Sequence, residues 1–420
     1  MSGRIRFFMK KISLLLSLFI LFYSPINFAS NNIMGRPITH TETPVTHNII
    51  GTPVSVQDKN ILLFQNEINI YEAAAQHPLP AFPTIDKLLR VGSTNDLVLL
   101  LRRHLKASGD LASSAPDDTV FDDQLRQSVE YFQWRHGLKV DGVVGNETCA
   151  ELNILPEERI HQLRLNMQRW TQLSKKLGNR FLLVNIPEYQ LHVVDKGQEV
   201  LSMKVIVGKP QRPTPELTSS ITRIVFNPYW NVPHLIAQKD IVPKIIDNPE
   251  YLAENKIRIY NSPEDNAREL NANDINWESA KENGFAYHFR QEPGSVNALG
   301  LVKFEFYNSH DVYLHDTPSK NLFDNDERDL SSGCVRLEKP FDLVSYFSQT
   351  DDNINEVKVQ ERLDKQSISY YKLKEPLRIF LVYMTSWVDK NDIVHYGKDI
   401  YWEDNENPQL AQNLAQNEEQ

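Results

Sequence analysis

The chain has 420 residues, of which 41% are hydrophobic and 10% aromatic, and its formal net charge at pH 7 is −10. This length and composition predict two or three folded domains and exclude general disorder. The acidic balance argues against nucleic acid as a partner, because binding a phosphate backbone requires a basic face.

The first thirty residues have the pattern of a secretory signal. Basic residues between Arg4 and Lys11 precede a short apolar run over residues 12–23, which Pro25 ends. A membrane-spanning helix needs roughly 20 apolar residues, so an uncleaved anchor is the weaker alternative. We therefore predict that residues 1–30 are removed on export to the periplasm and that no membrane span remains.

Residues 31–85 are predicted to form a polar leader and an N-terminal helix. The leader is polar, contains prolines and shows no periodicity. A helix is predicted from Ile61 to Gln76, where a proline-rich stretch ends it.

A compact block of three helices is predicted next. Asn95 or Asp96 can cap the first helix and Asp122 or Asp123 the second. The third helix starts near Glu147 and includes Cys149. We expect both cysteines of the chain to be reduced and Cys149 to pack like an alanine.

The string FQxxxGLxxDGxxGxxT, from Phe132 to Thr148, connects the second and third helices. It resembles the small three-helix peptidoglycan-binding domain, and the resemblance extends over residues 86–155. A domain of this kind implies peptidoglycan glycan as a partner, with Tyr131 or Trp134 stacking on sugar. The alternatives are that these aromatic residues belong to the core and that the domain is only a helical spacer.

The second half of the chain is predicted to be mainly β. Pro156 opens an amphipathic linker helix over residues 156–178. From Phe181 the hydrophobic period changes to two, which predicts a β domain over residues 179–404 and an α+β multidomain protein overall. The predicted strands are Phe181–Ile186, Gln190–Val194, Glu199–Val207, Ile224–Asn227 and Leu301–Phe306.

Two further features are predicted within and after this domain. Residues 236–296 are charged and mostly helical in pattern, and we expect them to form a cap over the functional site. Residues 379–388 and 393–402 are predicted to pair as a final hairpin. The polar tail at residues 405–420 is predicted to be disordered.

The chemistry is concentrated in two segments of the β domain. Apolar and polar residues alternate toward His315 as in a half-buried strand, and Cys334 follows a polar loop within the run SSGCVR. A thiol attacks only as its thiolate, and an imidazole within reach can take the proton. Gly333 permits a tight turn that aims the backbone N–H of Cys334, with that of Gly333 or Ser332, at an oxyanion. The residues alone predict a cysteine acyl transferase or amidase.

The strand histidine followed by SSGCVR resembles the active-site signature of the L,D-transpeptidases (YkuD domain), which are bacterial enzymes that cross-link the cell wall. The family pattern has a histidine before the glycine, whereas this chain has Ser332, which leaves His315 as the candidate base. That departure, together with the string HDTPSKNLF, resembles the YcbB-like branch of the family.

The resemblance implies a two-step exchange on peptidoglycan stem peptides. Cys334 attacks the carbonyl of the third residue of a tetrapeptide, D-alanine leaves, and an amine of a neighbouring stem resolves the thioester to give a 3-3 cross-link. The resemblance also implies that the backbone carbonyl of Asp316 orients His315 and that the thiol, expected to be exposed and of low pKa, is acylated by carbapenems. With water as acceptor, the same residues make an L,D-carboxypeptidase or a cross-link-cleaving amidase. A non-catalytic wall-binding scaffold is the remaining alternative.

Three further residues are candidates for substrate binding, each with a structural alternative. Arg336 can hold a substrate carboxylate or fix the loop, while Tyr313 and Trp230 can line the pocket or serve as packing aromatics. The acidic run over residues 324–329 lacks the glycine and terminal glutamate of a calcium loop. We predict neither a metal nor a cofactor.

Overall fold

The computed structural model describes residues 56–264, 266–282, 286–352 and 354–404. The predicted signal, most of the polar leader and the predicted disordered tail lie outside the described residues. Within the described part of the chain, no helix combines the length and the hydropathy that a membrane span requires.

Five helices build the N-terminal half. They are α1 (Val56–Ala75), α2 (Asp96–Ala107), α3 (Asp123–Arg135), α4 (Asn146–Leu152) and α5 (Pro156–Ser174). The capping side chains are those of Asn95, which accepts from Val98 N at 3.2 Å, and Asp122, which accepts from Leu125 N at 2.7 Å. The predicted helix after the leader is confirmed, although it begins five residues earlier, at Val56.

The glycine-rich string between α3 and α4 forms a turn, and Gln133 of α3 stabilises this turn by hydrogen bonds. The side-chain oxygen of Gln133 accepts hydrogen bonds from the backbone of Asp141 at 3.1 Å and Gly142 at 2.9 Å. Gly142 has φ +67°, which explains the glycine at this position. Cys149 is buried in the small core behind this turn, as predicted.

A buried ionic cluster joins this helical half to the end of the chain. The Arg135 guanidinium lies 2.8 Å from Asp110 Oδ1 and 2.9 Å from Glu67 Oε1 on α1. The hydroxyl of Tyr396 donates to the other oxygen of Glu67 at 3.2 Å. We call these four residues the Arg135 cluster. Because Tyr396 belongs to the C-terminal half, the cluster fixes the helical domain against the β domain.

The aromatic residues proposed to stack on sugar occupy this same junction. Tyr131 is buried, with 3% of its surface exposed. Trp134 packs edge-on against His395, with ring centroids 4.5 Å apart. The structure thus favours the alternative in which both residues pack inside the protein.

The C-terminal half is a closed β-sheet. Its strands are β1 (Phe181–Asn185), β2 (Gln190–Asp195), β3 (Gln198–Gly208), β4 (Leu217–Phe226), β9 (Val302–Phe306), β10 (Leu314–His315), β11 (Asp329–Ser331), β12 (Val335–Leu337) and β13 (Ser369–Val382). They pair in the order β11-β3-β12-β10-β9-β4-β13-β1-β2, and β2 also pairs with β3, which closes the sheet into a barrel. The predicted α+β arrangement, with a helical N-terminal half and a mainly β domain, is confirmed.

The insertion between β4 and β9 contains more sheet than predicted. Its strands are β5 (Trp230–Asn231), β6 (Ile257–Tyr260), β7 (Glu269–Leu270) and β8 (His288–Gln291). Its helices are α6 (His234–Ile236), a π-helical turn (Ala237–Ile241), α7 (Val242–Asp247), α8 (Tyr251–Glu254), a 3₁₀ turn (Ala272–Asp274) and α9 (Trp277–Glu282). The prediction of a mostly helical insertion was therefore incomplete, because strands this short carry little periodicity.

The predicted final hairpin was too long. The segment from Ile379 to Val382 belongs to β13, which pairs with β1 and β4 inside the barrel. The hairpin itself consists of β14 (Ser386–Val388) and β15 (Val394–Tyr396). Between β9 and β13 lie a 3₁₀ turn (Lys320–Asp324), α10 (Pro340–Thr350) and α11 (Glu356–Asp364).

Candidate active site

Strand register brings the predicted histidine and cysteine to one face of the barrel. In the parallel pair of β10 and β12, Leu314 lies opposite Val335 and His315 opposite Arg336. Directly opposed residues share a face, and so do residues two apart on one strand. His315 and Cys334 therefore point to the same side, while Leu314 and Val335 are fully buried in the barrel interior.

The His315 ring is held by its neighbour. Its Nδ1 lies 2.5 Å from the backbone carbonyl oxygen of Asp316. A carbonyl only accepts, so Nδ1 carries the proton and Nε2 presents its lone pair. The family resemblance implied this contact of Asp316, and the geometry agrees with it.

Asp316 is itself fixed on its other side. Its carboxylate accepts from the backbone N–H of Leu301 at 2.9 Å and lies 2.8 Å from the Lys320 ammonium. Gly300 has φ +60°, and any Cβ there would overlap this carboxylate. The contacts on the Asp316 side chain thus set the position of the carbonyl that orients His315.

Burial keeps both members of the pair neutral at rest. Desolvation, followed by the positive charge of Arg336, lowers the pKa of His315 to about 3. Burial raises the pKa of Cys334 above its usual value, against the lowering effects of hydrogen bonds from Tyr313 and of the Lys303 charge. The expected low-pKa thiol is therefore not what the structure favours, because desolvation opposes the thiolate.

We expect a neutral thiol in the resting enzyme, and ultraviolet absorbance of the thiolate measures this directly. The difference between wild type and Cys334→Ala should stay flat from about pH 5 to about pH 8 and rise only above the ordinary thiol pKa of about 8.5. Subtraction removes the contribution of Cys149. A thiolate band already present at neutral pH would instead establish an ion pair with His315.

The loop before Cys334 is closed by its own hydrogen bonds. The backbone N–H of Gly333, where φ is +109°, donates to Ser331 Oγ at 3.1 Å. Ser331 Oγ donates in turn to the Cys334 carbonyl at 2.6 Å, and Thr214 Oγ1 donates to the Gly333 carbonyl at 2.8 Å. The Gly333 amide thus already donates within the loop, which favours Ser332, the alternative predicted partner of the Cys334 amide, as an oxyanion donor.

Arg212 connects the cap to this loop, and sequence reasoning missed it. Its Nη1 donates to Ser332 Oγ at 3.0 Å, and its Nη2 lies 3.1 Å from Asp240 Oδ1 in the π-helical turn. Arg212 follows β3 in a loop without a recognisable motif, so only the strand order places it beside Ser332.

Tyr313, Trp230 and Arg336 all reach the surroundings of the sulfur. The hydroxyl of Tyr313 is hydrogen-bonded to Cys334 and to the side chain of Trp230 on β5. Burial, followed by the Cys334 charge, raises the pKa of Tyr313 well above its usual value. Arg336 lies opposite His315 and is partly exposed.

A lysine that the sequence did not indicate also belongs to this face. Lys303 pairs with His315 across β9 and β10, and its ammonium lies 3.9 Å from the centroid of the Tyr313 ring. The alternation of β9 placed Lys303 on a polar face, but only the register shows that this face contains His315.

Two segments of the chain match known protein families. Residues 179–359 match the YkuD family, described as the L,D-transpeptidase catalytic domain, and residues 94–152 match the family described as "Putative peptidoglycan binding domain". Residues 179–359 are therefore similar to the L,D-transpeptidase catalytic domain of the YkuD family, and residues 94–152 to a peptidoglycan-binding domain, as the motifs predicted.

Individual relatives agree with this assignment. A Haemophilus influenzae protein named "Putative L,D-transpeptidase" is 35% identical over 254 residues, which cover 60% of this chain and 49% of that protein. The chain thus spans about half the length of this curated relative.

Similar solved structures include two L,D-transpeptidases. The one from Stackebrandtia nassauensis is 12% identical, with 71% of this chain and 96% of that chain covered and a TM-score of 0.25. The one from Xylanimonas cellulosilytica is 14% identical, with 71% and 100% covered and a TM-score of 0.21.

Proposed function

We propose that this chain is a cysteine-dependent peptidoglycan L,D-transpeptidase that forms 3-3 cross-links through a thioester. The observation that carries the proposal is the placement of Cys334 and His315 on one barrel face, with His315 Nδ1 held by the Asp316 carbonyl. This arrangement provides a nucleophile on the same face as an oriented base, and acyl transfer requires both groups.

In the first step the Cys334 sulfur bonds to the carbonyl carbon of the third stem residue while its proton passes to His315 Nε2. The backbone N–H groups of Cys334 and Ser332 stabilise the oxyanion, with Gly333 forming the turn. The oxyanion then collapses, the bond to D-alanine breaks, and His315 returns the proton to the leaving amine.

In the second step an amine of a neighbouring stem attacks the thioester. His315 takes a proton from this amine and passes it to the sulfur, which leaves as the neutral thiol while the new amide forms. Both steps use a neutral imidazole at their start, which the lowered pKa of His315 supplies.

The remaining residues of the face have roles in binding. Tyr313 donates to the sulfur, Trp230 closes the pocket from the cap, and Arg336 binds a donor carboxylate in a bidentate fashion. The peptidoglycan-binding domain holds the glycan of the same wall, and export to the periplasm brings the enzyme to it. Ser332 in place of the motif histidine supports assignment to the YcbB-like branch.

A single assay of purified protein with tetrapeptide muropeptides tests the reaction. Mass analysis should reveal a dimer formed with loss of one alanine. A tripeptide monomer as the main product would instead establish an L,D-carboxypeptidase, and release of monomers from cross-linked dimers would establish an amidase.

We expect a carbapenem to acylate Cys334. Opening of the strained lactam ring adds the whole molecule to the sulfur, so the intact protein should gain the mass of one carbapenem. Cys149→Ala should gain the same mass, since that thiol is buried in the binding domain. An unmodified wild type, or an equal adduct on Cys334→Ala, would contradict this expectation.

A further inference from the structure

A groove extends from the nucleophile across the outer face of the barrel. Its volume is about 750 Å³, and its lining comes from β4, β9, β13 and the loop between β9 and β10. Tyr313 and Asp311 line the groove, and the Cys334 sulfur lies 3.9 Å from the carbonyl oxygen of Asp311. One end of the groove is therefore formed by the loop that contacts the sulfur, and the volume of the groove is typical of ligand sites.

Strand register orders the floor of the groove into a row. Glu305 is paired with Arg223, and Arg223 with Lys372. If the register of β10 with β9 is continued by one residue, Tyr313 lies opposite Glu305. The register of β10 with β12, continued in the same way, places Cys334 opposite Tyr313. At a strand spacing of about 4.8 Å, Arg223 lies about 14 Å and Lys372 about 19 Å from Cys334 along the row.

The row has an excess of positive charge, although the chain as a whole is acidic. Glu305 accepts from Arg223 Nε at 2.5 Å and lies 3.0 Å from the Lys303 ammonium. One carboxylate thus faces two cations, and Lys372 adds a third at an exposed position on β13. With Asp311 included, the groove has three cations and two carboxylates, and this excess of positive charge attracts an anionic ligand.

The guanidinium of Arg223 has free N–H donors that can bind a second carboxylate. Its guanidinium lies over the ring of Tyr370, 4.9 Å from the centroid. Glu305 contacts the Nε and Nη2 nitrogens, and since a guanidinium has five N–H donors, donors remain for another partner. The planar fork, held in one orientation by Tyr370, matches the geometry of a carboxylate.

We propose that this groove binds the acyl-donor stem in an extended conformation and that Arg223 and Lys372 determine specificity by binding a stem carboxylate. This proposal rests on the proposed transpeptidase function. A separation of about 14 Å corresponds to roughly four residues of extended chain, and the long arginine side chain shortens this to two or three. Because only D-alanine follows the attacked carbonyl in a tetrapeptide, the proposal places the bound carboxylate on the N-terminal side, at the second stem residue.

Steady-state kinetics with two donors tests the proposal. One tetrapeptide has a free carboxylate at its second residue, and the other has the corresponding carboxamide. Arg223→Ala should raise KM for the free acid about ten- to hundredfold, as expected for a lost charge-assisted contact, with kcat little changed. The amidated donor should have a high KM with wild type, and Arg223→Ala should raise this KM little further, because the same contact is already missing.

Three further variants make the result specific. Lys372→Ala should act in the same direction, and Arg223→Lys should restore part of the affinity and keep a cation beside Glu305. Arg378→Ala removes a cation from the same strand, outside the groove, and should leave KM for both donors unchanged. An unchanged KM in Arg223→Ala, or equal losses for the free acid and the amide, would overturn the proposal.

Binding without turnover separates this proposal from the proposed function. Calorimetry of both peptides with Cys334→Ala, with and without Arg223→Ala, measures affinity independently of chemistry. If the free acid binds in an Arg223-dependent way but the wild type releases no D-alanine, the proposed peptide binding in the groove stands and the proposed transpeptidase function is refuted. The opposite pattern, turnover without Arg223-dependent binding, would refute the groove.

Discussion

Cys334→Ala should reduce D-alanine release from a tetrapeptide donor by about 10⁴–10⁶-fold, the loss expected when an enzyme is deprived of its nucleophile. The substitution removes the sulfur that is hydrogen-bonded to Tyr313 and shares a face with His315. Liquid chromatography of the released products measures the rate, and intact mass shows whether the thioester is lost with it.

Cys149→Ala is the matched control for this experiment. Cys149 is the other cysteine of the chain, and it is buried in the core of the peptidoglycan-binding domain. Its replacement should leave the rate and the thioester unchanged, with thermal unfolding as the check on stability. Near-normal turnover by Cys334→Ala would show that another group carries the acyl intermediate.

His315→Ala should reduce turnover by about 10²–10⁴-fold, the typical contribution of general acid–base catalysis. The structure provides the reason, because Nε2 of a neutral, oriented ring is the proton acceptor for a thiol whose pKa is raised. Rates of D-alanine release measure the loss, while binding of the donor should remain.

His310→Ala tests whether the effect belongs to His315. His310 is an exposed histidine in the loop just before β10, and its loss should not change the rate. Adding His315→Ala to Cys334→Ala should cause little further loss, since the two residues act as a unit. Activity retained by His315→Ala would mean that a different base serves Cys334.

Much of the site was predictable because its elements are local. The alternation that ends at His315 and the glycine before Cys334 are properties of short segments, and they placed the base on a strand and the nucleophile on a loop. What the segments do not contain is their mutual register. Lys303 and Arg212 reach the site only through the pairing of β9 with β10 and through the loop after β3.

The protonation state of the pair could not be predicted for a related reason. Sequence shows which groups titrate, but the direction of their pKa shifts depends on burial. His315 is 4% exposed, so desolvation outweighs the favourable contact with Asp316. The hydrogen bond of the Gly333 amide could not be predicted either, since it depends on where the side chain of Ser331 points.

The fold was predicted best where elements are long. The helices α2, α3 and α5 and the strands β1 to β3 are long enough to show their periods, and their caps and turns agree. The insertion was the weakest part, because β5 and β7 contain two residues each and exist only through pairing with their neighbours.

The Arg135 cluster has a consequence for how the chain folds and can be divided. Its charged groups are removed from water, and separating α1 from the β14–β15 hairpin would break the hydrogen bond from the Tyr396 hydroxyl to Glu67. Phe64 and Ile68 of α1 pack with Tyr396 in the same interior. We therefore expect the helical and β halves to unfold cooperatively, and a fragment that begins at α5 loses part of the interior that stabilises the β domain.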